Sequence, residues 1–271
     1  MSVALLRASL WALWLLLALE AGAALLGVRV TTPAAPVPDR EPVLAEVLSA
    51  VVVGDRVAYR AFTPTRRATL EAWLRWHGVS RVAPSRAAAE ARALNAYNAW
   101  VLFTALDGPP AASIRERRGA VEPRPGFGAF WGRWFRYDGR LTNLYRLEHE
   151  TLRRGFGDAR IHAAINCASR GCPSLSAEPF EAARLEAQLD AAARRFVNDP
   201  RHVTVDRVAR RVTLSQLFQW YEGDFLAEAP SVLRWCMRYA EAPLAAALAR
   251  AEAEGYAREM RPYDWRLNGL N

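Results

Sequence analysis

His202-Val-Thr-Val-Asp-Arg-Val-Ala-Arg-Arg-Val-Thr-Leu214 is the stretch that decides the fold class. Its β-branched residues fall on either side of a polar, Arg-containing centre, so His202–Val205 and Val208–Leu214 read as a hairpin. A hairpin pairs its strands antiparallel, which a doubly wound parallel sheet does not need. Upstream, Leu185, Leu189, Ala192 and Phe196 repeat at helical spacing within a helix expected over 178–197. Ile161–Asn166 carries apolar residues on both faces and reads as a central strand. Before it, Trp134–Tyr137 read as a strand, Asp138-Gly139 as a turn, and Thr142 as the cap of a helix to Arg153. Ser85 opens a long helix to Leu106, with Leu94, Tyr97, Val101 and Leu102 as its core stripe. Thr65 opens a shorter helix to Trp76, and residues 43–53 read as a short helix or as a helix running into a strand. Downstream, Ser215 caps a helix to Tyr221, and two more helices cover 231–241 and 244–255. Helices are many and strands few. The expectation is a single α+β domain, with helices packed on a small, mainly antiparallel sheet.

Half of the 271 residues are hydrophobic, ample for a buried core. The net charge of +8 comes from Arg alone, since the chain has no Lys. That excludes a Lys base or Schiff base. The arginines are dispersed in short doublets rather than gathered in a stripe, and no nucleic-acid-reading module is present, so no nucleic-acid partner is expected. Arg7 precedes an apolar run that extends, broken only by Glu20, to Val28. This pattern implies export, either by a cleaved signal or through an uncleaved anchor. The expected organisation is a signal or anchor over 1–28, a Pro-rich linker over 29–44 and a domain over 45–271, facing the periplasm or cell envelope. Membrane contact is expected only through the N-terminal segment.

Three constellations could carry chemistry. Asn95 and Asn98 share one face of the long helix, where a buried amide must find partners. They either cap a neighbouring loop or orient a catalytic group. Glu148 points toward the middle of the apolar face set by Leu144, Leu147 and Leu152, with His149 on the flank. A carboxylate there needs a partner: an Arg, a histidine such as His162, or a bound substrate. The third constellation is Ile161-His-Ala-Ala-Ile-Asn-Cys-Ala-Ser-Arg-Gly-Cys-Pro173. Alternation puts His162, Ala164 and Asn166 on one face and leaves Cys167 at the strand end, beside Arg170. Cys167 is a catalytic thiol, half of a disulfide with Cys172, a metal ligand or inert packing; C-x4-C spacing is unusual for zinc. Cys236 sits on an apolar helix face and reads as core. No metal site and no cofactor are expected, and neither a G-x-S-x-G elbow nor a Walker or Rossmann glycine pattern occurs.

These segments, in this order, resemble the DUF547 family. The residues that carry the likeness are Asn95-Ala-Tyr-Asn-Ala99, Leu141-Thr-Asn-Leu-Tyr-Arg-Leu-Glu-His149, and Asp158 through Pro173. Leu214-Ser-Gln-Leu-Phe-Gln-Trp-Tyr-Glu-Gly-Asp-Phe225 and Tyr263-Asp-Trp-Arg-Leu-Asn268 complete it. Arg92-Ala93-Leu94 and Gly223 depart from the usual family pattern. The resemblance implies that the tail belongs to the domain. A long Asn-bearing helix on a small antiparallel sheet is similar to the papain/transglutaminase architecture. There the nucleophilic Cys opens the helix, where this chain has Asn95, so the thiol has moved or the domain binds without catalysing.

Two functional expectations follow; a third, thiol–disulfide exchange, is disfavoured because C-x4-C lacks the C-x-x-C geometry of redox loops. One is a cysteine-dependent hydrolase or acyl transferase: Cys167 as nucleophile, His149 or His162 as base, and Glu148 as orienter. Asn95, Asn98, Asn166 and Arg170 would be its polar binding groups. The other is a non-catalytic binding module of the envelope, stapled by Cys167–Cys172. Either way the expected partner is a small-molecule or peptide ligand.

Overall fold

The computed structural model describes residues 29–39, 41–118 and 123–270, so the signal or anchor expected over 1–28 lies outside the described residues. Among the described residues no helix is long and apolar enough to cross a membrane. The stretch read as a linker opens with a short strand, β1 (Arg29–Val30), and Ala34 donates its backbone N–H to Glu71 at 3.1 Å. Next, α1 (Leu44–Val51) passes directly into β2 (Val52–Val53), which pairs with β3 (Arg56–Val57), as the helix-then-strand reading expected.

α2 (Pro64–Gly78) starts two residues earlier than expected. Thr63 is its cap, accepting from the N–H of Arg66, and Pro64 fills the first helical position, where a missing N–H is tolerated. α3 (Arg86–Leu106) begins at Ser85 as expected, with Oγ accepting from Ala88 N–H at 3.1 Å. Its apolar stripe widens into full enclosure, because every residue from Ala93 to Ala105 is buried. A helix wrapped on all sides is the spine of a core rather than a surface element.

β4 (Arg133–Tyr137) and β5 (Arg140–Asn143) form an antiparallel hairpin, and β1 adds parallel to β4. Both turn residues have positive φ, Asp138 at 50° and Gly139 at 74°, as a tight two-residue hairpin requires. Thr142 therefore belongs to a strand. The helix cap is Asn143, whose Oδ1 accepts from Arg146 N–H at 2.8 Å. The helix that follows, α4, is continuous through Leu144–Arg146, a π-helical Leu147–Arg153 and Arg154–Phe156.

Ile161–Asn166 is not a strand. Ile161–Ala164 form a single helical turn, α5, and the chain becomes extended at Ile165. Asp158 nucleates the turn, its carbonyl accepting from Ile161 and its side chain from Arg160 N–H. All six residues are buried, so a wholly buried helical turn left the same apolar signature as a central strand. The alternation of faces inferred from period 2 falls with it.

α6 (Leu185–Asn198) starts later than residue 178, preceded by a 3-10 turn at Ala182–Arg184. β6 (Val203–Asp206) and β7 (Arg211–Ser215) are the expected hairpin. α7 (Gln216–Trp220), capped by Ser215, leads into α8 (Glu222–Glu228), α9 (Val232–Tyr239) and α10 (Ala242–Ala253). β8 (Ala257–Arg261) then returns parallel to β7. Among the described residues the strands thus form three small sheets rather than one, and the protein is an α+β domain. The tail is integral to it: Leu267 bridges to Ser169, Gly269 bridges to Val57, and Leu267 N–H bonds the carbonyl of Ala112.

Candidate functional site

The expected site residues separate into two groups. Cys167, His149, His162 and Glu148 line one cavity of about 540 Å³. Asn95, Asn98, Asn166 and Arg170 do not line it. Asn95 clamps the backbone of Phe180, donating to its carbonyl at 2.9 Å and accepting from its N–H at 2.8 Å. Asn98 closes the end of α5 in the same way: Nδ2 donates to Ala164 O at 3.1 Å and Oδ1 accepts from Asn166 N–H at 2.9 Å. Asn166 donates to Pro173 O, and its Oδ1 accepts from Ala168 N–H and from Asn268 Nδ2. Arg170 reaches the tail carbonyl of Leu267. These amides replace backbone partners that an irregular buried loop lacks.

The cavity has a carboxylate at its floor. The π-helical turn of α4 carries Glu148 into the core, 8% exposed, beneath His149. Neither an Arg nor His162 hydrogen-bonds it, contrary to those two expectations. Glu148 Oε2 accepts from Tyr97 O–H at 2.9 Å and Oε1 from Tyr221 O–H at 2.5 Å. Burial, reinforced by the Glu148 charge, pushes both phenols well above their ordinary value, so each keeps its proton and donates. Two neutral donors hold the carboxylate, but no cation pairs with it among the described residues. Its basic neighbours Arg153 and His162 are both committed to Asp224.

That second network has no counterpart in the sequence reading. His162 Nε2 donates to Asp224 Oδ2 at 2.7 Å, and its ring stacks on Tyr221 with centroids 4.0 Å apart. Arg153 grips both oxygens of Asp224, at 2.7 and 2.9 Å, and donates through its third nitrogen to His149 Nδ1 at 2.7 Å. Burial opposes ionisation of Asp224, yet the hydrogen bonds and charges of His162 and Arg153 prevail and hold its carboxyl far below the usual range. Burial lowers the pKa of His149. With Nδ1 accepting from Arg153, the neutral ring carries its proton on Nε2.

Aromatic rings make the walls. On one side Trp131 stacks on Tyr145 at 4.9 Å, and Tyr145 packs on His149 at 4.1 Å. On the other, Tyr263 lies 4.9 Å from Trp220 and 4.7 Å from Trp265. Arg124 sits over Trp131, 4.4 Å from its ring centre. The remaining wall is the cysteine loop. Cys167 and Cys172 are joined by a disulfide, so neither carries a thiol in this structure. Ala168 adopts φ 60° to turn this loop, and at Gly171 a Cβ would stand 3.0 Å from the Tyr263 ring and the Asp264 nitrogen, so the tail lies directly against it. Cys236 is fully buried on α9, its thiol pushed up by burial, consistent with packing.

The fold and site thus define an α+β domain with an aromatic-walled cavity, a buried carboxylate floor and a disulfide in one wall. Residues 83–197 match the family described as "Protein of unknown function, DUF547". No curated protein and no solved structure matches the chain. The cavity extends beyond the matched segment: Trp220, Tyr221, Tyr263 and Trp265 all come from residues after 197. Tyr221, Asp224 and Tyr263 lie in stretches whose likeness to the family the sequence displayed. The signal that could have found them is polar and aromatic residues close together in Trp220-Tyr-Glu-Gly-Asp224 and Tyr263-Asp-Trp265.

Proposed function

We propose that this domain is a binding module of the cell envelope that takes a small organic cation into its aromatic cavity. The observation that carries the reading is Glu148: a buried carboxylate, facing an aromatic box, held by two phenol hydrogen bonds and by no ion pair among the described residues, its basic neighbour Arg153 being spent on Asp224. A buried charge without an opposite charge is costly, and a ligand ammonium would supply one. Tryptophan and tyrosine faces attract the same group through their ring quadrupoles, by about 0.5–2 kcal/mol each. The cavity volume of about 540 Å³ falls in the range of small-molecule sites. Export, by signal or anchor, and a domain reaching from residue 45 to the tail are part of the same proposal. The integration of the tail residues into the cavity supports that extent.

The test is a fluorescence titration, since Trp131, Trp220 and Trp265 line the cavity. Choline should change the emission saturably, while its neutral isostere 3,3-dimethylbutanol should bind at least tenfold more weakly. Equal response to the two would contradict the reading.

A second reading, the cysteine-dependent hydrolase or acyl transferase, draws support from one fact: Cys167, His149, His162 and Glu148 share the cavity. It requires Cys167 as a free thiol. If iodoacetamide, after mild reduction, labels Cys167 first and that labelling follows a depressed pKa, the reading gains; labelling of Cys236 first would remove it.

A further inference from the structure

The disulfide in the cavity wall has surroundings that a structural staple does not need. The backbone N–H of Cys167 points at Cys172 Sγ at 2.8 Å. The Tyr263 hydroxyl lies 3.0 Å from both sulfurs, and Ser169 Oγ lies 2.9 Å from Cys167 Sγ. A disulfide sulfur carries no hydrogen, so at each contact the sulfur is the acceptor, and it is a weak one. Burial holds the Tyr263 proton in place, its pKa pushed well up. Three donors therefore converge on atoms that accept weakly when oxidised and strongly when reduced to thiolate. Cys167 is half-buried, Cys172 is buried at 4% exposure, and both line the cavity.

We propose that Cys167–Cys172 is a reactive disulfide that exchanges with a small thiol bearing an ammonium group, bound in the cavity with its cation toward Glu148. The proposal rests on the cation-binding reading above and names the class of ligand. A thiolate of the ligand attacks Cys167 Sγ, the more accessible sulfur. The S–S bond breaks and its electron pair leaves on Cys172 Sγ, where Cys167 N–H and the Tyr263 hydroxyl receive the charge. A good leaving thiolate is one so stabilised. A second ligand thiol then attacks the ligand sulfur of the adduct and releases Cys167. One protein disulfide is reduced to two thiols, two ligand thiols are oxidised to one ligand disulfide, and the two protons of the ligand thiols pass to the cysteines.

The experiment incubates unreduced protein with cysteamine or with 3-mercaptopropionate at equal thiolate concentration. Mass spectrometry follows reduction and locates the adduct, and the denatured chain gives the intrinsic preference between the two thiols. The folded chain should favour cysteamine at least tenfold beyond that intrinsic preference, with the adduct on Cys167. Glu148→Gln should erase the preference, and Tyr263→Phe should slow both thiols several-fold while preserving it. The exchange is overturned by an adduct on Cys172, or by reduction a hundredfold slower than in the denatured chain with both thiols. Equal folded-state rates overturn the ligand class. Choline binding that persists without exchange places the failure here alone, whereas absence of both removes the cation site as well.

Discussion

Two polar clusters are attached to α3, one residue apart, and they end differently. Asn95 and Asn98 each spend both ends of an amide on one loop, so every hydrogen bond they offer returns to backbone. Tyr97, between them, donates to Glu148, and that carboxylate faces a cavity with no ion-pair partner among the described residues. The amide cluster is closed and the carboxylate cluster is open. Residue type does not separate them, since all are buried polar groups on or against one helix. What separates them is whether the protein itself completes the valences. A closed cluster specifies the fold, and an open one awaits a ligand.

The sharpest way to break that contrast is to open the closed cluster. Asn98→Ala leaves the Asn166 N–H and the Ala164 carbonyl unpaired in the core, at about 1–3 kcal/mol for each. Loss of about 4 kcal/mol in urea unfolding is the expected result; a loss under 1 kcal/mol would mean the amide is not what pins the cysteine loop.

His202 is a buried polar group outside both clusters, with neither ring nitrogen hydrogen-bonded among the described residues. Burial lowers its pKa to about 4, against some opposition from the charge of Asp199. The folded value lies below the unfolded one of about 6.5, so folding favours the neutral ring. Its contribution is complete above about pH 6.5 and is lost as pH falls toward 4, reaching about 3 kcal/mol. Stability curves over that window should flatten in His202→Leu; an unchanged acid slope would contradict the assignment. Asp224, with its carboxyl held low, also contributes stability that acid removes, but in a lower window that opens only below the ordinary aspartate value of about 3.9.

Glu148→Gln sharpens the open cluster. It keeps the shape and an acceptor for a tyrosine but removes the charge, so choline affinity should fall at least tenfold, about 1.4 kcal/mol, while stability moves little. A loss of stability matching that of Asn98→Ala would place Glu148 in the closed class instead. The smallest effect is expected of Tyr145→Phe, whose ring is retained in the wall: calorimetric choline affinity should stay within threefold. A larger loss would mean that its hydroxyl, rather than its ring face, meets the ligand.

The sequence made the closed cluster legible and half of the open one. Polar amides in the middle of a long apolar helix announce buried partners, and helical spacing put Glu148 on the core face, where the structure has it. The hairpin of β6 and β7 was legible because alternation flanked a polar turn. Ile161–Asn166 misled because a buried helical turn and a central strand share one apolar pattern, and the Ala residues that favour the turn carry too little signal over four positions. Partners across the chain were illegible for another reason. Tyr221 lies 73 residues from Glu148, and Asp224 lies 62 from His162, so no local spacing relates them.

The central claim, that the open carboxylate is a cation site, is tested most directly by a crystal structure of the domain grown with choline. The account predicts the quaternary nitrogen beside Glu148, within about 6 Å of two or more of the aromatic ring centres that line the cavity. An anion in that place, or choline elsewhere with the cavity holding only water, would contradict it.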